Sequence, residues 1–203
     1  MAESVIGSEV NGTTYNKNLH TFGRTIGGTA KEDQTAILTE PFLPTYTAAA
    51  QNVITTTSAS HLFFLQGDGT LYTRVHWFEI EQQVLAGGAA TAEIRVYRTT
   101  TAGTGGTAIS CYPVDGGDTS PYAGGAMTLP TVKGTEGVLL YQKRLSILAA
   151  APITATMRWE QSIYEKPWII APAVTNGLAW KLITGIATST LNITVGFSVS
   201  TYL

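Results

Sequence analysis

The sequence predicts an all-β protein: an antiparallel β-sandwich, jelly-roll-like, preceded by an extended N-terminal arm. Three observations predict it. Apolar and polar residues alternate with a period of two in several stretches, and turn-forming residues punctuate the chain at short intervals. No long amphipathic run is present to form the helices that cover a parallel sheet.

The arm spans 1–45. Asn11-Gly12, Gly23, Gly27-Gly28, Pro41 and Pro44 interrupt it repeatedly, and its apolar residues keep no steady period. Such a segment gains order by lying on something else. Val5, Ile6, Leu19, Phe22 and Ile26 are therefore its candidate interface residues, because a purely solvated tail has no use for them. The run 31–38 allows a short helical turn.

The β domain spans 46–203. Strands are expected at 52–57, 61–66, 70–84, 91–99, 107–113, 137–148, 155–165, 168–171, 177–184 and 190–201. The last alternates most clearly: Leu191, Ile193, Val195, Phe197 and Val199 take the core face, and Asn192, Thr194, Gly196, Ser198 and Ser200 the other. Ile94 and Val96 alternate with Glu93 and Arg95 in the same way, and Leu178, Trp180 and Leu182 share a face. Gly67-Asp68-Gly69, Gly87-Gly88, the runs 101–106, 115–121 and 134–137, and Asn176-Gly177 mark the turns.

Composition narrows the function. Charged residues are 13% of the 203, about half the roughly 25% of ordinary soluble domains, as expected where part of a surface is covered by partners. The 12 Lys and Arg are scattered and the net charge is −2, so no nucleic-acid partner is expected. No basic segment precedes an apolar stretch near Met1, and no run approaches the roughly 20 apolar residues of a membrane helix, so no membrane partner is expected either. The lone cysteine, Cys111, excludes an internal disulfide and reads as a small buried strand residue.

No constellation carries catalysis, a cofactor or a metal. His20, His61 and His76 show no ligand spacing, and no serine has a nucleophile's setting. Glu79, Glu81 and Glu160 could be imagined as a glycosidase pair, but Glu79 and Glu81 share a strand face and read as a solvated face or ion pairs with Arg158 or Arg95. Asp115-Gly116-Gly117-Asp118 lacks the oxygen spacing of a calcium loop and reads as a turn. Among the aromatics, Trp159 and Trp180 read as core, while Tyr112, Tyr122 and Tyr164, in or near loops, are the better surface candidates.

From Glu93 onward the sequence resembles structural proteins of tailed bacteriophages. The resemblance rests on the strand Glu93-Ile94-Arg95-Val96-Tyr97-Arg98, the Thr/Gly-rich run 99–107 and the loop 113–118. Pro167-Trp168-Ile169-Ile170-Ala171-Pro172, Asn176-Gly177-Leu178-Ala179-Trp180 and the final alternating strand complete it. It covers about half of the chain, leaves out the arm, and points to β-sandwich proteins of the head-decoration, cement or fibre-associated kind. It implies a non-enzymatic virion protein on the capsid exterior, made in the host cytoplasm. It would be a homotrimer bound to the major capsid protein or other virion proteins and clamped by its arm. The alternative it implies is a fibre- or tail-tip module that recognises host glycan or protein through loop aromatics.

Overall fold

The computed structural model describes residues 5–10, 13–18, 20–26, 29–35, 43–55, 60–84, 90–116, 121–147, 155–162, 165–184 and 189–201, the first four segments as backbone alone. The fold divides into two compact units, Met1–Phe42 and Leu43–Leu203.

In the first unit, β1 (Val5–Val10) pairs antiparallel with β2 (Thr13–Asn18), and β3 (His20–Ile26) with β4 (Thr29–Thr35). Hairpins thus stand where the sequence suggested a chain without partners of its own. The signal was present: the pair separating β1 from β2 is Asn11-Gly12 and that separating β3 from β4 is Gly27-Gly28, both favoured in two-residue hairpin loops. The expected helical turn at 31–38 is overturned over 31–35, which lie in β4 and pair with β3; 36–38 fall outside the described residues.

The second unit is all β. Its strands are β5 (Thr45–Ile54), β6 (Ser60–Gln66), β7 (Tyr72–Val84), β8 (Ala90–Thr99), β9 (Thr107–Ile109), β10 (Cys111–Pro113), β11 (Ala126–Thr128), β12 (Glu136–Ile147), β13 (Thr156–Glu160), β14 (Trp168–Ile170), β15 (Gly177–Leu182) and β16 (Thr190–Ser200). One sheet runs β10-β5-β16-β7-β13, with β14 following β13 along β7; call it sheet I. Sheet II runs β12-β8-β15-β6-β11-β9. The two antiparallel sheets pack face to face as a sandwich. Thr45 opens β5, and the Pro44 carbonyl accepts the Val199 N–H, so both residues belong to this unit and not to the arm.

The pairing is nested. β5 pairs with β16, β6 with β15, β7 with β14 and β13, and β8 with β12. A long hairpin rolled over itself gives this order, the arrangement of a jelly roll. The segment between β8 and β12 adds β9, β10 and β11. The expected single strand at 107–113 splits there: β9 joins sheet II and β10 joins sheet I. β11 was not foreseen, since three residues give no readable period.

Period two explains the core. Val75, Phe78 and Ile80 of sheet I and Phe63, Ile94, Val96, Leu178, Trp180 and Leu182 of sheet II are fully buried. Trp180 packs edge-on against Phe63 at 5.4 Å and against Phe78 of the opposite sheet at 5.8 Å. In β16 the foreseen core residues are buried, but so are Gly196, Ser198 and Ser200 on the other face. The Trp77 indole lies where a Cβ at residue 196 would project, so glycine is required there by space.

Val195→Asp should destabilise the sandwich by about 3 kcal/mol or more, because Val195 is fully buried and a carboxylate there has no partner. Thr194→Asp, half-buried on the opposite face, should cost less than about 1 kcal/mol. Urea unfolding of both variants checks this, and equal losses would contradict the facing of β16.

Candidate interaction surfaces

Of the expected interface residues, Val5 and Ile6 fall in β1 and Phe22 and Ile26 in β3, while Leu19 lies outside the described residues. Their side chains are outside the description too.

Large apolar side chains are exposed at Ile54, Val132 and Val174 and, on outer strands of the sandwich, at two places. On β10, an edge of sheet I, Tyr112 is 68% exposed, with Val114 just beyond it at 66%. On β12, an edge of sheet II, Val138 is 64% and Leu139 43% exposed. β12 is also irregular there, with register shifts on both sides of Leu139. An edge strand offers unpaired backbone groups, and apolar side chains beside them make it a surface for another chain.

The outer face of sheet I carries charge and polarity. The Arg158 guanidinium lies 5.4 Å from the centre of the Trp77 ring and bridges Glu79 at 3.3 Å and Glu160 at 3.2 Å. Of the carboxylates expected to form a solvated face or ion pairs with Arg158 or Arg95, Glu79 and Glu160 are thus paired with Arg158 across β7 and β13, while Arg95 pairs with Glu93. Beside them Ser198 donates to His76 Nε2 at 2.7 Å, and His76 Nδ1 donates to Gln161 Oε1 at 2.9 Å. The connectivity is that of a nucleophile, a base and an orienting group. However, Ser198 is 2% exposed and sits mid-strand between two paired neighbours, which leaves neither substrate access nor a free N–H for an oxyanion. The chain of bonds fastens β7 to β16.

A second polar cluster is buried. His61, fully inaccessible, donates from Nε2 to Glu136 at 3.0 Å, and Lys181 Nζ binds the same carboxylate at 2.8 Å. His61 Nδ1 has no hydrogen-bond partner among the described residues. Burial lowers the His61 pKa below its ordinary value, more than Glu136 raises it. Burial pushes Glu136 upward, but the bonds from Lys181 and His61 outweigh it and hold the carboxyl below its ordinary value.

The aromatic expectations divide. Trp180 is fully buried, and Trp159 is half-buried and packed against the core, stacked on Trp168 at 3.8 Å along the sandwich edge. Tyr112 is exposed. Tyr122 corrects the reading: it is 8% exposed, because its ring packs on Phe197 at 4.7 Å and its hydroxyl donates to the Gln66 carbonyl at 2.5 Å. Asp68 holds the neighbouring backbone, accepting from the Ala123 N–H and from Thr70 and Leu71. Tyr164 and part of the 115–118 loop lie outside the described residues. Cys111 is half-buried, and burial pushes its thiol up to about 11, so it stays protonated at neutral pH. Among the described residues no group of three or more His, Cys, Asp or Glu side chains is placed to hold a metal ion.

No protein-family model matches the chain, and no curated protein matches it.

The buried cluster fixes a pH dependence. With its pKa lowered from 6.5, folded His61 binds fewer protons than the unfolded chain as pH falls below 6.5, so stability falls with it; Glu136, lowered from 4.5, extends the loss further into acid. Melting temperature should therefore decline as pH drops through 6.5, and His61→Gln, which keeps a donor for Glu136 but does not titrate, should flatten that step. Identical slopes for the two proteins would show that His61 is not its source.

Proposed function

We propose that this chain is a non-enzymatic structural protein of a tailed-phage virion, a capsid decoration or cement protein that stabilises the head by bridging neighbouring subunits. The observation that carries the reading is the placement of exposed apolar side chains on edge strands, at Tyr112 on β10 and Val138 and Leu139 on β12, in a charge-poor chain. Two such edges let one domain touch two neighbours. The separate unit Met1–Phe42 supplies a further contact, and linked contacts on a repeating lattice gain effective concentration without any one being strong. The sequence resemblance from Glu93 onward supports the same reading, with the major capsid protein as partner and a homotrimer as the assembly.

The second reading, a fibre- or tail-tip recognition module, is favoured by Tyr112 alone, a phenol ring held 68% exposed on an edge strand. Position on the particle separates the two. Many copies spread over the head mean decoration, and a few at the tail mean recognition.

The test is occupancy on phage particles prepared without this protein. Tyr112→Lys combined with Leu139→Lys should weaken attachment by about tenfold or more while leaving the melting curve near that of the parent. Deleting 1–42 should leave the sandwich folded and also weaken attachment. Full occupancy by both altered forms would refute attachment through the edges and the N-terminal unit.

A further inference from the structure

One end of the sandwich is open. The cleft there measures about 260 Å³ and lies where the end of β8, the start of β12 and the start of β15 meet the end of β14. Its origin is local. β14 stops at Ile170 after three residues, and β12 bulges between Glu136 and Tyr141, so the two edges do not close on each other. Gly137 and Gly177 line the gap.

Arg98 lies in this cleft. It continues the inward-facing series of Ile94 and Val96 at the point where the core runs out, and its guanidinium donates to the Ile169 carbonyl across the sheets. That bond uses one of its five N–H donors. Among the described residues no carboxylate pairs with it, although Arg95, Arg144, Arg158 and Lys181 all have one. Burial lowers its pKa with nothing opposing. A half-buried cation without a counter-charge is costly in a fold. The rest of the wall is largely apolar, including Val138 and Ile170.

We propose that this cleft is a binding site for a small organic carboxylate with a compact apolar body. The planar guanidinium matches a carboxylate through two parallel hydrogen bonds, and one negative charge balances one positive charge. A phosphate dianion would bring more charge than the single arginine offsets. The cleft falls just short of the roughly 300–1,000 Å³ that takes drug-sized ligands, so an occupant of amino-acid size fits. The cleft shares Val138 with the exposed β12 edge, but the carboxylate assignment rests on Arg98 and holds whether or not the chain decorates a capsid.

The test uses the full chain, isotope-labelled, titrated with N-acetyl-leucine, N-acetyl-leucinamide and inorganic phosphate while backbone amide signals are followed. N-acetyl-leucine should shift the Arg98, Gly137 and Gly177 signals saturably, and the amide and phosphate should bind at least about tenfold more weakly. Arg98→Gln should lose binding by a similar factor and keep its melting curve, and Arg98→Lys should fall between because it keeps the charge without the fork. Equal binding of acid and amide, or tighter binding of phosphate, would overturn the carboxylate assignment on the parent protein alone. Absence of any saturable shift at these residues would overturn the site.

Discussion

The fold depends on the nested antiparallel pairing that joins β5 to β16, β6 to β15, β7 to β14 and β13, and β8 to β12. Each pair brings together segments far apart in the chain, so no half of the sandwich can complete its ladders alone. The pairing also fixes every register, and with it which side of each strand meets the core. Where a register slips, the chain uses a residue that tolerates the slip. Asn52 adopts φ 56° beside the shift between Leu191 and Ile193, and its N–H is taken up by the Asn192 side chain at 3.1 Å.

Rolling the long hairpin brings Phe78 of sheet I onto Trp180 of sheet II, and the rest of the interior arranges itself around that contact. Toward the β13 and β14 edge, Phe78 continues into Trp159, Trp168 and Tyr141, whose rings are half-buried and close the sandwich on that side. Elsewhere the packing of Tyr46, Tyr122 and Phe197 plays the same part. Where β14 is short and β12 bulges the closure is incomplete, and there a charged side chain stands in place of an apolar one.

Polar groups behave according to what the sheets leave over them. Arg158 and Glu160 on sheet I remain solvated, so their pairing contributes little to stability. His61 is fully buried, and its tie to Glu136, which Lys181 also binds, makes the same kind of contact sensitive to acid. The exposed apolar residues of β10 and β12 are the reverse case, side chains suited to burial that the sandwich itself does not bury.

The sequence by itself determined the all-β class and the facing of β8, β15 and β16, because side-chain alternation is a local property. Asn11-Gly12 and Gly27-Gly28 were equally local signals for two hairpins, obscured because the flanking residues have no apolar face with a clear period. Only the tertiary structure decided that 107–113 divides between two sheets, that Tyr122 is buried and Tyr112 is not, and that Arg98 meets no carboxylate among the described residues. Each depends on which distant strand arrives beside the residue, and alternation reports the side of a strand on which a residue lies but not what the fold brings to that side.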